Sequence, residues 1–398
     1  MVDNWQTRQF RLSAGTMTLE TDATQTDLFC IAERINPRRA FLFVSTILGR
    51  HIPVDPIEHS KALEILSRGV DAHLGSGFAM VMGFAETAIG LGASIHAGLV
   101  DLNPDHNIGF LPTTRFAPDE ASKWFEIEEK HSHAVQHIIL KPTWDTLLNG
   151  VDTSLVMVDD ETTSGATFAA LAQALKEQGL VFEHIILVTL TDWSNGQAAA
   201  QVGSIYPKAT ISTVSLQQGR WRWEQNETVP QKRLPASISP ACSLWTPPRG
   251  GLFTTPRAGY LSRGESTSGT ELLSALLANG LRPVNSKDRL LVVGAGENVW
   301  ASMRVAEAFA YLNIFTRFIT TTRSPIEMGE VIRQKIVFPD HYGVGFEMYM
   351  HNVDPGDWDR ILLFNETGLQ GVPEVLRRAL GQFDLIGPEG TVTWIDNE

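Results

Sequence analysis

Residues 155–167 read Leu-Val-Met-Val-Asp-Asp-Glu-Thr-Thr-Ser-Gly-Ala-Thr, and no other stretch of the chain restricts the fold as much. Four apolar residues in a row fit a strand buried on both faces. Two acids follow where such a strand would emerge, then a loop of small hydroxyl residues, then a helix. Each part has a chemical use. The loop Thr163, Ser164, Gly165, Ala166, Thr167 can aim several backbone N–H groups and hydroxyls at one phosphate, and the helix start adds the positive end of its dipole. Gly165 lets the backbone approach closely. Asp159 and Asp160 would lie one ribose-length from that phosphate, placed to accept hydrogen bonds from vicinal hydroxyls. An ordinary strand–turn–helix with Asp and Thr as caps is the plainer alternative; the pattern taken whole favours the phosphate site.

The rest of the chain alternates in the same manner. Strands are predicted over residues 39–45, 78–82, 107–114, 155–158 and 184–190, with helices over 56–74 and 166–179. Residues 117–133 are highly charged and read as a long loop or exposed hairpin. This alternation predicts an α/β fold, a parallel sheet covered by helices on both faces. Pro230, Pro235, Pro240, Pro247, Pro248 and Pro256 then crowd one segment, which reads as a linker. The boundary is expected near residue 240, giving domains over residues 1–238 and 239–398. Beyond it come strands over 289–293, 315–320 and 359–364, and helices from about 298 and over 373–380.

Composition excludes several classes. A chain of 398 residues has length for two or three domains. Its net charge of −13 lacks the basic footprint of a nucleic-acid binder. No uninterrupted apolar run is long enough to span a bilayer, and Met1–Trp5 has no basic flank before an apolar core. Two cysteines, Cys30 and Cys242, make neither a disulfide framework nor a four-cysteine zinc site. A cytoplasmic protein without membrane or nucleic-acid partners is expected.

The segment 155–167 resembles the phosphoribosyl-pyrophosphate (PRPP) motif of type I phosphoribosyltransferases, and the wider layout is most similar to the orotate-type enzymes. The resemblance implies a pyrophosphate loop at Gly83, Phe84, Ala85, Glu86 and Thr87, a basic residue at Arg115, and a mobile catalytic loop over about 117–135 with Lys130, His131 and His133. It implies magnesium carried by PRPP, a base-like acceptor, and room for a homodimer. Ser164 departs from the usual Thr or Ala, and the pyrophosphate loop carries Glu86 with no arginine, so cationic help must come from Arg115, a loop lysine or magnesium. The segments Leu48–Val54, Glu128–Ala134 and Thr322-Arg323-Ser324-Pro325 further resemble phosphoribosyltransferase proteins with a C-terminal TRSP domain, a family associated with tellurium-resistance and stress gene clusters and a nucleoside-like metabolite. A ligand-sensing regulator on the same fold is the alternative. Arg50 and His51 are candidate acceptor contacts, with a simple strand-end turn as the other reading. His131, His133 and His137 invite a metal reading, but no partner of diagnostic spacing accompanies them.

The second half opens with Arg-Leu-Leu-Val-Val-Gly-Ala-Gly-Glu at 289–297, in which Val299 stands where a dinucleotide fingerprint needs its third glycine. A closer parallel is internal. Gly83-Phe84-Ala85-Glu86 matches Gly294-Ala295-Gly296-Glu297; Thr113-Thr114-Arg115 matches Thr321-Thr322-Arg323; and residues 155–165 match 361–371, all shifted by roughly 210 residues. This predicts a diverged repeat in which Asn365 and Glu366 replace the acid pair.

Overall fold

The computed structural model describes residues 5–22, 28–34, 40–116, 122–128, 136–226, 251–261 and 268–396. In the first half, β1 (Trp5–Leu12) and β2 (Gly15–Asp22) form a hairpin, and β3 (Phe29–Glu33) pairs with β4 (Phe41–Ser45). Helix α1 (Pro56–Asp71) starts on Asp55, whose carboxylate accepts the Ile57 N–H at 2.9 Å, with Pro56 in the first turn. Then follow β5 (Ala79–Gly83), α2 (Ile89–Leu102), β6 (Ile108–Phe110), the hairpin of β7 (Lys123–Glu128) and β8 (Gln136–Leu140), β9 (Ser154–Thr162), α3 (Ala166–Glu177), β10 (His184–Asp192), α4 (Gln197–Ile205) and the long β11 (Thr210–Gln225). Strands β5, β9 and β10 carry unbroken apolar runs at Ala79–Met82, Leu155–Val158 and Ile185–Val188, and they lie centrally with helices over them, as such runs require.

Strand β12 (Tyr260–Leu261) adds to the edge of the first sheet, and the second half then comprises α5 (Gly269–Ala278), β13 (Leu290–Gly294), α6 (Trp300–Tyr311), β14 (Thr316–Thr320), the hairpin of β15 (Lys335–Pro339) and β16 (Glu347–His351), β17 (Arg360–Phe364), α7 (Glu374–Leu380), β18 (Phe383–Ile386) and β19 (Val392–Ile395). Its sheet is buried on both sides: Leu290, Val292, Leu362 and Phe364 enter one core cluster, and Leu291, Val293, Leu363 and Leu385 the other. Among the described residues, no helix is long and apolar enough to cross a membrane.

The two halves repeat one topology. The first sheet runs β6-β5-β9-β10-β11 through its parallel core, and the second runs β14-β13-β17-β18-β19, the same order when each set is counted along the chain. The difference is β19, which is antiparallel to its neighbour where β11 is parallel. Turn-level bonding repeats as well. Thr113 Oγ1 accepts the Ala85 N–H at 2.8 Å, and Thr321 Oγ1 accepts the Gly296 N–H at 2.8 Å. Thr113 Oγ1 meets His137 Nδ1 at 2.8 Å, and Thr321 Oγ1 meets His341 Nε2 at 3.0 Å. Strand-like bridges tie Thr114 to Ile138 and Thr322 to Tyr349. The hairpins β7–β8 and β15–β16 are therefore counterparts, which the sequence matches did not reach.

The halves also exchange edge segments. Val54, from the first half, pairs antiparallel with Phe318 of β14 in the second. Tyr260, ahead of the second half, pairs antiparallel with Phe110 of β6 in the first. Phe110 and Phe318 hold the same register position against β5 and β13. The expected boundary near residue 240 lies outside the described residues. Pro256, assigned to a linker by composition, instead sits in a segment built into both halves, with Phe253, Arg257 and Tyr260 all buried.

Buried histidines give this interior a pH dependence. Burial pushes His96 down from 6.5 to about 4, with partial relief from the Ile108 carbonyl. Burial, with Lys335 and Arg50 adding to it, pushes His351 down from 6.5 to about 3. Both are neutral when folded and free to protonate when unfolded, so their contribution is complete above pH 6.5 and is lost as pH falls toward the folded values. We expect each to cost about 2 kcal/mol of stability at pH 5, at roughly 1.4 kcal/mol per pH unit. Urea unfolding at pH 7 and pH 5 checks this; a midpoint unchanged between them would contradict it.

Candidate active site

Ligands in open α/β sheets bind beyond the carboxyl ends of strands, at the crevice where strand order reverses. In the first half that crevice lies between β5 and β9, which are parallel neighbours with Gly83 opposite Val158. A cavity of ≈ 390 Å³ opens there, and it is lined by Phe84 to Thr87 on one side and by Asp159 to Thr167 on the other.

The loop after β9 has a fixed shape. Gly165 takes a left-handed conformation at φ +80°, and a Cβ there would fall 2.3 Å from Ala198 Cα, so only glycine fits. Its N–H donates to Thr162 Oγ1 at 3.1 Å, and Gln201 Nε2 donates to the Ser164 carbonyl at 2.7 Å. Helix α3 begins at once, bringing its positive end to the cavity. The loop after β5 is equally constrained. A Cβ on Gly83 would meet the Ala88 carbonyl oxygen at 2.3 Å, and the Ala85–Glu86 peptide bond is cis. The two loops are tied where Thr87 Oγ1 donates to Asp160 Oδ1 at 3.1 Å, while the Asp160 N–H donates to Asp159 Oδ1 at 2.9 Å.

Charges in the cavity are balanced. Glu86 is buried and ion-paired with Arg50 Nη2. Arg115 Nη2 donates to the Ala85 carbonyl at 3.0 Å, and its N–H donates to Glu297 Oε1 of the second half at 2.6 Å. Arg34, Arg50 and Arg323 also line the cavity, with His137, Thr322 and Ser324. Arg50 also reaches Thr320 Oγ1 at 3.1 Å, across the halves. His51 does not line the cavity; it is buried against His351, ring centroids 5.5 Å apart, and burial, then His351 and Arg50, hold it well below the usual imidazole range. Lys130, His131 and His133 lie outside the described residues. His137 is buried, hydrogen-bonded to Thr113, and lines the cavity beside the loop after β5.

Sequence reasoning did not place Arg34 or Arg323 in this cavity. Arg34 follows directly on β3 and bridges to Ile326, beside the Thr322-Arg323-Ser324-Pro325 segment. The one available signal was the internal match of Thr114-Arg115 to Thr322-Arg323.

The corresponding crevice of the second half, between β13 and β17, is filled. Strand register equates Val158 with Phe364, hence Asp160 with Glu366. Arg257 occupies the space: its Nη1 and Nη2 donate to Glu366 at 3.0 and 2.6 Å, and its Nε to Glu297 Oε2 and Thr114 Oγ1, each at 3.1 Å. Tyr342 Oη donates to Glu366 at 3.0 Å. All of these groups are buried. Burial works against the Arg257 charge, but Glu366 and Glu297 outweigh it and leave the guanidinium more firmly protonated than usual. Burial, then Glu366, raises Tyr342 well above the ordinary phenol.

Residues 28–220 match the family model described as "Phosphoribosyl transferase", and residues 254–376 match the "TRSP domain C terminus to PRTase_2". The chain belongs to this phosphoribosyltransferase family. Its reaction class is therefore PRPP-dependent phosphoribosyl transfer. Among solved structures, adenine phosphoribosyltransferase from Trypanosoma brucei is 12% identical, with 47% of this chain and 76% of that one covered and a TM-score of 0.34. The adenine enzyme from Thermoanaerobacter pseudethanolicus is 18% identical over 47% and 95%, TM-score 0.33. Orotate phosphoribosyltransferase from Aeropyrum pernix is 16% identical over 47% and 87%, TM-score 0.27. No curated protein matches the chain.

Proposed function

We propose that the first-half cavity binds magnesium–PRPP and transfers its phosphoribosyl group to a base-like acceptor. The 5′-phosphate rests on the loop Thr163–Thr167, the ribose hydroxyls donate to Asp159 and Asp160, and pyrophosphate lies against Gly83–Thr87 and Arg115. The observation that carries this reading is the juxtaposition of the two loops across one crevice, tied by Thr87 and Asp160. The phosphoribosyltransferase domain then covers residues 1–238 and the TRSP-type domain residues 239–398. The resemblance noted above adds a setting, synthesis of a nucleoside-like metabolite tied to stress or tellurium resistance.

In the reaction the acceptor's lone pair forms a bond to the anomeric carbon, the carbon–oxygen bond to pyrophosphate breaks, and the electron pair leaves with pyrophosphate. The transition state carries positive charge on the sugar. Asp159 and Asp160 hold the ring and place negative charge beside it, so catalysis is mostly positioning and electrostatics. Lys130, His131 and His133 are assigned to a closing segment that excludes competing water.

Magnesium fits as an ion borne by the donor. Glu86, Asp159, Asp160 and Glu161 line the cavity, whereas no group of three or more metal-ligating side chains occurs among the described residues. An ion already sharing phosphate oxygens takes only one or two protein carboxylates and keeps waters. Asp159 and Asp160 would hold it, and when bound it offsets phosphate charge.

The test is pyrophosphate release from PRPP with magnesium, screened against purines, pyrimidines and orotate-like acids. Acceptor-dependent release is the expected result. Tight PRPP binding with no release in the presence of any acceptor would overturn turnover and mark a sensor.

A further inference from the structure

The loop proposed to face pyrophosphate carries a glutamate and no cation of its own, yet cations converge on it from elsewhere. Arg50 is committed to Glu86, Thr320 Oγ1 and the Gly296 carbonyl. Arg115 donates to the Ala85 carbonyl. Arg323 comes from the second half, just past β14, and lines the cavity with Thr322 and Ser324. Its Nε stands 3.9 Å from Glu86 Oε1, beyond hydrogen-bond length, and that buried carboxylate oxygen has no hydrogen-bond partner among the described residues. The Arg323 guanidinium lies 3.9 Å over the Phe346 ring, a contact that fixes its plane and, among the described residues, leaves its edge of N–H donors without a hydrogen bond. Its side chain is 30% exposed, so it faces a cavity that solvent and ligand can enter.

We propose that Arg323 binds the pyrophosphate group of the phosphoribosyl donor, so that the Thr-Arg-Ser-Pro segment of the second half is one wall of the first half's site. This rests on the reading of that cavity as the PRPP site. A guanidinium fork suits two oxygens of a phosphate, and its attraction grows as the breaking carbon–oxygen bond sends charge onto pyrophosphate. The filled crevice of the second half then has a companion explanation. That half keeps its fold because it presents Arg323, the repeat counterpart of Arg115, across the interface.

The test uses the full chain with Arg323→Gln and Arg323→Lys. Affinities for magnesium–PRPP, inorganic pyrophosphate and ribose 5-phosphate are measured by calorimetry. Arg323→Gln should weaken PRPP and pyrophosphate by about ten- to a hundredfold, the range for a charged hydrogen bond, and leave ribose 5-phosphate unchanged. Arg323→Lys should recover part of the loss. Unchanged PRPP and pyrophosphate affinity in Arg323→Gln, with the parent chain binding both, overturns the role of Arg323 alone. Equal weakening of all three ligands overturns it too, by showing a general disturbance of the cavity. A parent chain that binds none of them overturns the PRPP reading, and this inference with it.

Discussion

Replacing Asp159 and Asp160 together by asparagine is expected to lower turnover by about a hundredfold or more, the scale of removing preorganised charge from a transition state. The geometry separates this loss from unfolding. Both side chains are half-buried at the cavity wall, outside the apolar core. Asp160 Oδ1 takes the Thr87 hydroxyl and Asp159 Oδ1 takes the Asp160 N–H. An asparagine carbonyl can accept both, so the loop after β9 should keep its shape. On the proposed reading, what disappears is two negative charges beside the carbon that becomes cationic. Steady-state rates of pyrophosphate release, with urea unfolding as the control, check the expectation. Near-normal rates in a stable double variant would remove the acid pair from the mechanism.

The acid pair was readable from sequence because everything that shapes it is contiguous. Strand β9, the turn at Gly165 and the start of α3 follow one another within thirteen residues, and local chemistry fixes each. The repeat was readable for a related reason: Thr113 and Thr321 hold the same turn by the same hydrogen bond, and a Cβ on Gly83 or Gly294 would strike the carbonyl oxygen of Ala88 at 2.3 Å or of Asn298 at 2.6 Å, so the same residue types are needed twice. The other side of the cavity was legible in part: Phe84–Thr87, Arg50 and Arg115 were named from sequence, whereas Arg34 and Arg323 were not. Arg323 comes up to Glu86 only because the halves face each other, a tertiary event with no local signature. The hairpin β1–β2 was missed although the burial of β2 alternates residue by residue, because one short alternating run says nothing of the far end of β11 with which it pairs. His51 was grouped with Arg50 as its neighbour in sequence. The chain bends at both residues, and His51 turns to His351 while Arg50 turns to Glu86, so adjacency in sequence does not carry over to the site.

Arg257 shows the same limit most sharply, since it follows a proline-rich stretch and is nevertheless the cation at the centre of the second half. Arg257→Met is expected to destabilise the protein by about 3–5 kcal/mol, the cost of removing one partner from a buried ionic group. Set against a usual stability of about 5–15 kcal/mol, that would leave much of the chain unfolded at modest urea. The loss has a definite cause. Glu297 and Glu366 would remain as two buried carboxylates in one crevice, and burial already raises Glu297 against the pull of Arg257. Removing the charges as a set should behave differently. Arg257→Met with Glu297→Gln and Glu366→Gln leaves neutral groups of similar volume, and it should recover most of the stability, because a buried ionic cluster often gains little over its neutral replacement. The triple variant should still lose activity. Glu297 accepts both the Arg115 N–H and the Thr114 hydroxyl, at 2.6 Å each, and a glutamine can accept through only one oxygen. Equilibrium unfolding of the parent, single and triple proteins, alongside PRPP turnover, decides the matter. A single variant as stable as the parent would show that the arginine does not hold the crevice closed, and a triple variant no more stable than the single would show that its role is packing and not charge.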